Sequence, residues 1–99
     1  MRIIKIDTDD IVLGTDTVNS AVEHSAYTLK VTGCCRYYNT IFVILEETEE
    51  SYRYIFAPLP AASEDELTAL LRSRFDSGFS TITNFYINDD CWALFEKKL

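Results

Sequence analysis

The stretch CCRYYNTIFVILE, residues 34–46, constrains this chain more than any other. From Cys35 to Glu46 it is dense in β-branched and aromatic residues, which suit a pleated, half-buried surface, and it predicts one continuous strand. Side chains alternate across a strand, so Tyr37, Ile41, Val43 and Leu45 would face one way and Tyr38, Phe42 and Ile44 the other. Both faces would be apolar. A sheet built around such a strand needs a cover on each side, because a bare apolar sheet face is unstable in water.

The surrounding chain supplies further strands and one clear lid. Residues 2–6 read as a short strand, Ile11 to Leu13 could add another, and Asp7, Asp9, Asp10 and Asp16 look like turn chemistry. Residues 15–25 leave a short helix, capped by Asp16 or Asn19, and a loop equally open. Residues 26–32 alternate Tyr27, Leu29 and Val31 against Thr28 and Lys30, which predicts a strand broken by Gly33. The acidic run EETEES reads as a solvated turn, and residues 52–57 return as the second arm of a hairpin. Pro58 and Pro60 then end the sheet, since proline cannot donate to a central ladder.

Ser63 and Glu66 form a capping box, each side chain satisfying an orphan N–H of a helix's first turn. The predicted helix covers about residues 64–76: acidic residues 64–66 sit at its positive end, Arg72 and Arg74 near its negative end, and Leu67, Leu70, Leu71 and Phe75 form one stripe. Gly78 suits a left-handed C-terminal cap. Residues 79–87 read as a strand, NDD as a tight turn, and residues 91–96 as a last strand. No internal repeat, linker or low-complexity segment is visible. The expectation is a single α+β domain over residues 1–99: a mostly antiparallel sheet of four to six strands with one main helix packed on one face.

Charge and composition remove several functions. Sixteen acidic residues against nine basic ones give a net charge of −7, without the basic footprint that nucleic acid or an anionic membrane requires. An acidic inhibitor that mimics nucleic acid would instead need carboxylates arrayed on one face. The longest apolar run, residues 41–45, is far short of the roughly 20 residues of a membrane-spanning helix, and MRIIKID does not read as a secretory signal. The expected compartment is the cytoplasm.

Candidate chemistry is sparse. Adjacent Cys34 and Cys35 would point to opposite faces of a strand, so they could not share one metal there. With Cys91 alone, and the sole histidine, His24, ten residues upstream of Cys34, zinc-ligand spacing is absent. Reduced cysteines used for packing are the expectation. His24 has Ser20, Ser25 and Glu23 nearby but no nucleophile-elbow pattern. Read from Asp7, a calcium loop fails: positions 5, 6 and 12 are Ile11, Val12 and Val18. No phosphate-binding glycine pattern occurs. The sequence therefore implies no catalytic residue, metal ligand or cofactor.

The aromatic residues carry the functional expectation. Tyrosine has an apolar body and a polar tip and is enriched at interfaces, so Tyr37, Tyr38, Phe42, Tyr52 and Tyr54 are the interface candidates. With only one lid for two apolar faces, the expected function is a non-enzymatic interaction or regulatory module. It would be oligomeric, a homodimer or a complex with another protein, and would bind neither nucleic acid nor membrane. The alternative is a small-ligand or enzyme domain with a pocket between sheet and helix, involving His24, Cys34 or tyrosines. Residues 63–98 also resemble the C-terminal half of small bacterial proteins that run helix, glycine-aromatic, strand, turn, strand and end Phe-x-Lys-Lys. The matching positions are Leu67, Leu70, Leu71, Gly78, Phe79, Phe95 and Lys97-Lys98, with Phe79 where those proteins often carry Trp. The resemblance implies an α+β fold and no activity.

Overall fold

Alternation along RIIKID produces β1 (Arg2–Asp7), whose last residue caps the turn after it: the Asp7 carboxylate accepts from the Asp9 N–H at 2.9 Å. This short 3-10 turn (Thr8–Asp10) runs directly into α1 (Ile11–Glu23). The next elements are β2 (Leu29–Tyr37), β3 (Thr40–Glu47), β4 (Tyr52–Pro58), α2 (Glu64–Asp76), β5 (Phe79–Ile87) and β6 (Asp90–Lys98). This computed structural model describes residues 1–24, 26–60 and 63–99. Ser25, Ala61 and Ala62 lie outside the described residues.

Among the described residues the fold is α+β with six antiparallel strands, in two three-stranded sheets ordered β1-β3-β2 and β4-β6-β5. The expected single strand from Cys35 to Glu46 is instead a hairpin, because Tyr38 takes a left-handed φ of 51° and, with Asn39, reverses the chain so that Tyr37 pairs with Thr40. Gly33 does not end the preceding strand. It follows a bulge at Thr32, where the register against β3 shifts, and β2 continues to Tyr37. The acidic run after β3 crosses between sheets rather than closing a hairpin. Ile11 to Leu13 open a helix, and Asp16 and Asn19 are inside it rather than at its cap. The helix from Glu64, the strand from Phe79 and the turn before β6 are as the sequence predicts, with Ser63 Oγ accepting from the Glu66 N–H at 3.2 Å.

The two halves have the same topology: strand, 13-residue helix, then a hairpin whose second strand pairs centrally. Arg2 pairs with Leu45 as Ile55 pairs with Phe95, and Ile11 opens α1 as Glu64 opens α2. Adding 53 to a residue number in β1 or α1, and 50 in β2 or β3, therefore gives its counterpart. Even the bulges correspond, between Val31 and Gly33 in one half and Thr81 and Thr83 in the other. This is a structural repeat that the sequence conceals, because Thr15/Thr68, Ser20/Ser73 and Glu46/Glu96 are the only identical pairs across these elements.

The halves join by burying one large core. Ile6, Ile41, Val43 and Leu45 of the first sheet pack with Val18 and Val22 of α1 and with Tyr54, Phe56, Phe85 and Leu94 of the second sheet. The opposite face of the second sheet carries Ala57, Ala93 and Phe95, covered by Leu71 of α2. Gly14 lets α1 approach Phe56 closely, since a Cβ there would meet the ring at 3.0 Å.

The edge of β4 is closed by a helix. The Asn19 side-chain amide donates to the Tyr54 carbonyl at 2.8 Å while its oxygen accepts from the Tyr54 N–H at 2.9 Å. One turn earlier, Thr15 Oγ accepts from the Phe56 N–H at 2.8 Å and donates to the Phe56 carbonyl at 3.4 Å. Two polar side chains of α1 thus stand where a neighbouring strand would pair.

Replacing Asn19 by Ala removes both partners of Tyr54's backbone and leaves a donor and an acceptor unpaired. It should destabilise the chain by about 1–3 kcal/mol in urea unfolding. Among the described residues Thr17 Oγ bonds only to the Leu13 carbonyl, on the exposed side of α1, so Thr17→Ala should change stability by less than about 0.5 kcal/mol.

Candidate functional site

Cross-strand partners share a sheet face, and register assigns the face of the first sheet that carries neither α1 nor the second sheet. One row is Ile3–Ile44–Gly33, the next Lys5–Phe42–Cys35, and the third Asp7–Thr40–Tyr37. Phe42 and Ile44 are half-buried yet belong to neither core cluster. Ile3 is 48% exposed and Tyr37 67% exposed. Gly33 gives Ile44 room to lie across the sheet, because a Cβ there would meet Ile44 Cδ1 at 3.1 Å. The Lys5 ammonium sits 5.8 Å from the centre of the Phe42 ring, within cation–π range. At the tip, Tyr37 and Tyr38 meet edge to face with ring centres 4.6 Å apart.

Of the interface candidates, Tyr37, Tyr38 and Phe42 are on or beside this face, whereas Tyr52 and Tyr54 are not surface residues. Tyr52 is 8% exposed and Tyr54 fully buried. Their side chains point toward the first sheet, and Tyr54 is satisfied there: its hydroxyl accepts from the Val31 N–H at 2.8 Å and donates to Glu96 at 2.7 Å. Burial and the bond to Glu96 raise its pKa. Ile3 and Cys35 join the face without having been expected there, and Ile44 shares it with Phe42 as the strand alternation predicts. The apolar even-numbered positions of β3 were the signal that pointed to it.

The alternative sites do not assemble. Cys34 and Cys35 take opposite faces, as adjacent strand residues must: Cys34 packs against the core and Cys35 is exposed. All three cysteines are unpaired. Burial, with a smaller contribution from Cys35, pushes the Cys34 thiol up to about 12, the opposite of what a reactive thiolate needs. His24 sits at the end of α1, its Nδ1 3.1 Å from the Ser20 carbonyl and 3.4 Å from Ser20 Oγ. A ring N–H donated to that carbonyl caps the helix and cannot at the same time accept the hydroxyl proton. The adjoining groove, with Asp16, Ser20 and His24 along it, is open to solvent and holds no buried polar group. Among the described residues, no group of three or more His, Cys, Asp or Glu side chains is placed to hold a metal, and no helix is long and apolar enough to cross a membrane.

No family model matches the chain, and no curated protein or solved structure matches it either.

The thiols give a direct check on this geometry. Cys35 should react with a thiol reagent in the folded protein, and Cys34 only after denaturant is added. Because the native state holds the Cys34 proton more tightly than the unfolded chain, its contribution to stability is complete below pH 9.0 and declines as pH rises toward about 12. Tyr54, also shifted upward, adds to the decline above its ordinary 10.0. Cys34→Ala should flatten the earlier part of that fall.

Proposed function

We propose that this chain is a non-enzymatic interaction module that binds a protein surface through the uncovered face of its first sheet. One observation carries the reading: Ile3, Phe42 and Ile44 form an apolar strip across two adjacent rows of register and pack on neither core. Contiguous apolar surface of this kind marks protein contacts more often than isolated exposed residues do.

Charge supports a protein partner over a polyelectrolyte. The chain carries −7, yet this face mixes signs, with Lys5 against Asp7 and Glu46, while the Lys30 ammonium lies over the Tyr52 ring, 4.8 Å from its centre. A face with mixed charge and an apolar centre matches the core-and-rim pattern of protein interfaces. It lacks the single-signed field that would draw a nucleic acid or a lipid headgroup. The His24 groove is open, and its polar side chains, Arg2, Asp16, Thr17, Ser20 and His24, are all exposed, which gives the enzyme reading less support than the sheet face has.

Light scattering coupled to gel filtration, together with binding of a hydrophobic dye, tests the proposal. The wild type should self-associate or, as a monomer, bind dye. Phe42→Glu and Ile44→Glu should abolish both while keeping the circular dichroism of the parent. A monomer that binds no dye would contradict the reading.

A further inference from the structure

We propose that the protein surface recognised by this face is a second copy of the chain, bound head to tail: the β1 edge and uncovered face of one copy dock in the groove between α2 and β5 of the next. The inference rests on the reading of that face as a binding surface and identifies its partner.

The internal junction between the two halves is the template. There, the helix-free face of the second half, with Tyr54, Phe56, Trp92, Leu94, Phe85 and Ile87, docks against the first half. Its counterparts in the first half are Met1, Ile3, Phe42, Ile44, Cys35 and Tyr37, apolar or aromatic at every position. In the second half these positions are buried or nearly so. In the first, Met1, Ile3 and Tyr37 are exposed large hydrophobic side chains, and β1, the counterpart of the docked β4, is an edge strand. The first half thus retains the donor surface that the second half uses, and among the described residues no element of the chain packs on it.

The acceptor is duplicated as well. In the first half the docking site consists of Thr15 and Asn19 on the β4 edge, with Val18, Val22, Leu29 and Val31 beneath. Their counterparts are Thr68, Arg72, Leu71, Phe75, Phe79 and Thr81. These six residues, with Ser80, line a groove of about 410 Å³ between α2 and β5. Phe75 is 72% exposed there. Thr68 is identical to Thr15 and keeps lone pairs free to accept a strand N–H while it donates to the Glu64 carbonyl at 2.8 Å. Volumes exchange in a compensating way: Gly14 faces the large Phe56, whereas the corresponding pair is Leu67 with the smaller Ile3. Two positions depart: the polar Thr81 stands in place of Val31, and the other is at the strand edge. Arg72 replaces Asn19 and can donate to a strand carbonyl but cannot accept from its N–H, so the copy-to-copy contact is weaker than the internal one.

An interface that uses two different surfaces is heterologous and grows into chains or rings rather than stopping at a two-fold dimer. Complementation separates the two geometries. Ile3→Glu disables the donor and Phe75→Glu the acceptor, both at exposed positions, with circular dichroism to verify folding. By light scattering from about 1 to about 100 µM, the range of weak interfaces, the wild type should grow in mass with concentration. Each variant alone should stay monomeric, and an equimolar mixture of the two should form a one-to-one dimer and stop. If Phe75→Glu alone associates as the wild type does, the head-to-tail geometry is wrong while the uncovered face keeps its role. A monomeric wild type that still binds dye through that face overturns the second-copy assignment alone. A monomeric wild type that binds no dye overturns both.

Discussion

The free edge of β4 is the constraint around which the rest of the structure is arranged. An edge strand presents unpaired N–H and C=O groups, which proteins must cover, charge or bend away. Here a helix covers them. Residues four apart on a helix rise roughly 6 Å, and residues two apart on a strand advance roughly 6.7 Å, so Thr15 and Asn19 match Phe56 and Tyr54 in spacing. Each side chain both donates and accepts, as a strand backbone would. That match brings α1 close to Phe56, an approach that glycine at position 14 eases, since a Cβ there would meet the ring at 3.0 Å. It also carries Tyr54 inward, where the bulge in β2 leaves the Val31 N–H to meet its hydroxyl.

Coverage depends on this junction. The second sheet is sheltered on one face by the first half and on the other by α2, whose own side chains are at most half-buried. The first sheet is sheltered on one face only. The expectation of two apolar faces and too few lids therefore holds in a modified form: the chain owns two helices rather than one, but α1 is spent on the junction, and a face remains bare. Cation–π contacts such as Lys5 over Phe42 and Lys97 over Phe79 shield exposed rings with long amphipathic side chains.

What the sequence made legible was local. Ser63 with Glu66, the leucine stripe and Gly78 define α2 because capping and periodicity act within a few residues. Asn88 and Asp89 tolerate left-handed φ values of 49° and 69° and mark the β5–β6 turn. The equivalent turn at Tyr38-Asn39 escaped because a tyrosine at φ 51° carries no turn signature. Helix α1 escaped for a related reason. Gly14, Thr15, Thr17 and Val18 are weak helix formers, Asp10 makes no capping bond, and the polar Thr15 and Asn19 interrupt its apolar stripe because they pair with a strand. Tyr52 and Tyr54 looked like surface for want of that helix. The repeat was invisible because hydrogen-bond register and bulge position persist where residue identity does not.

Hydrogen exchange resolved by residue tests the junction most directly. The Tyr54 and Phe56 amides point away from β6, at the edge of their sheet, yet both donate to α1 side chains. They should exchange as slowly as the neighbouring Ile55 amide, through the same global opening, and far more slowly than Ile3, the counterpart of Phe56 on β1. Tyr54 and Phe56 amides that exchange as fast as Ile3 would mean the helix does not close the strand edge, and the account of how the halves are joined would fail.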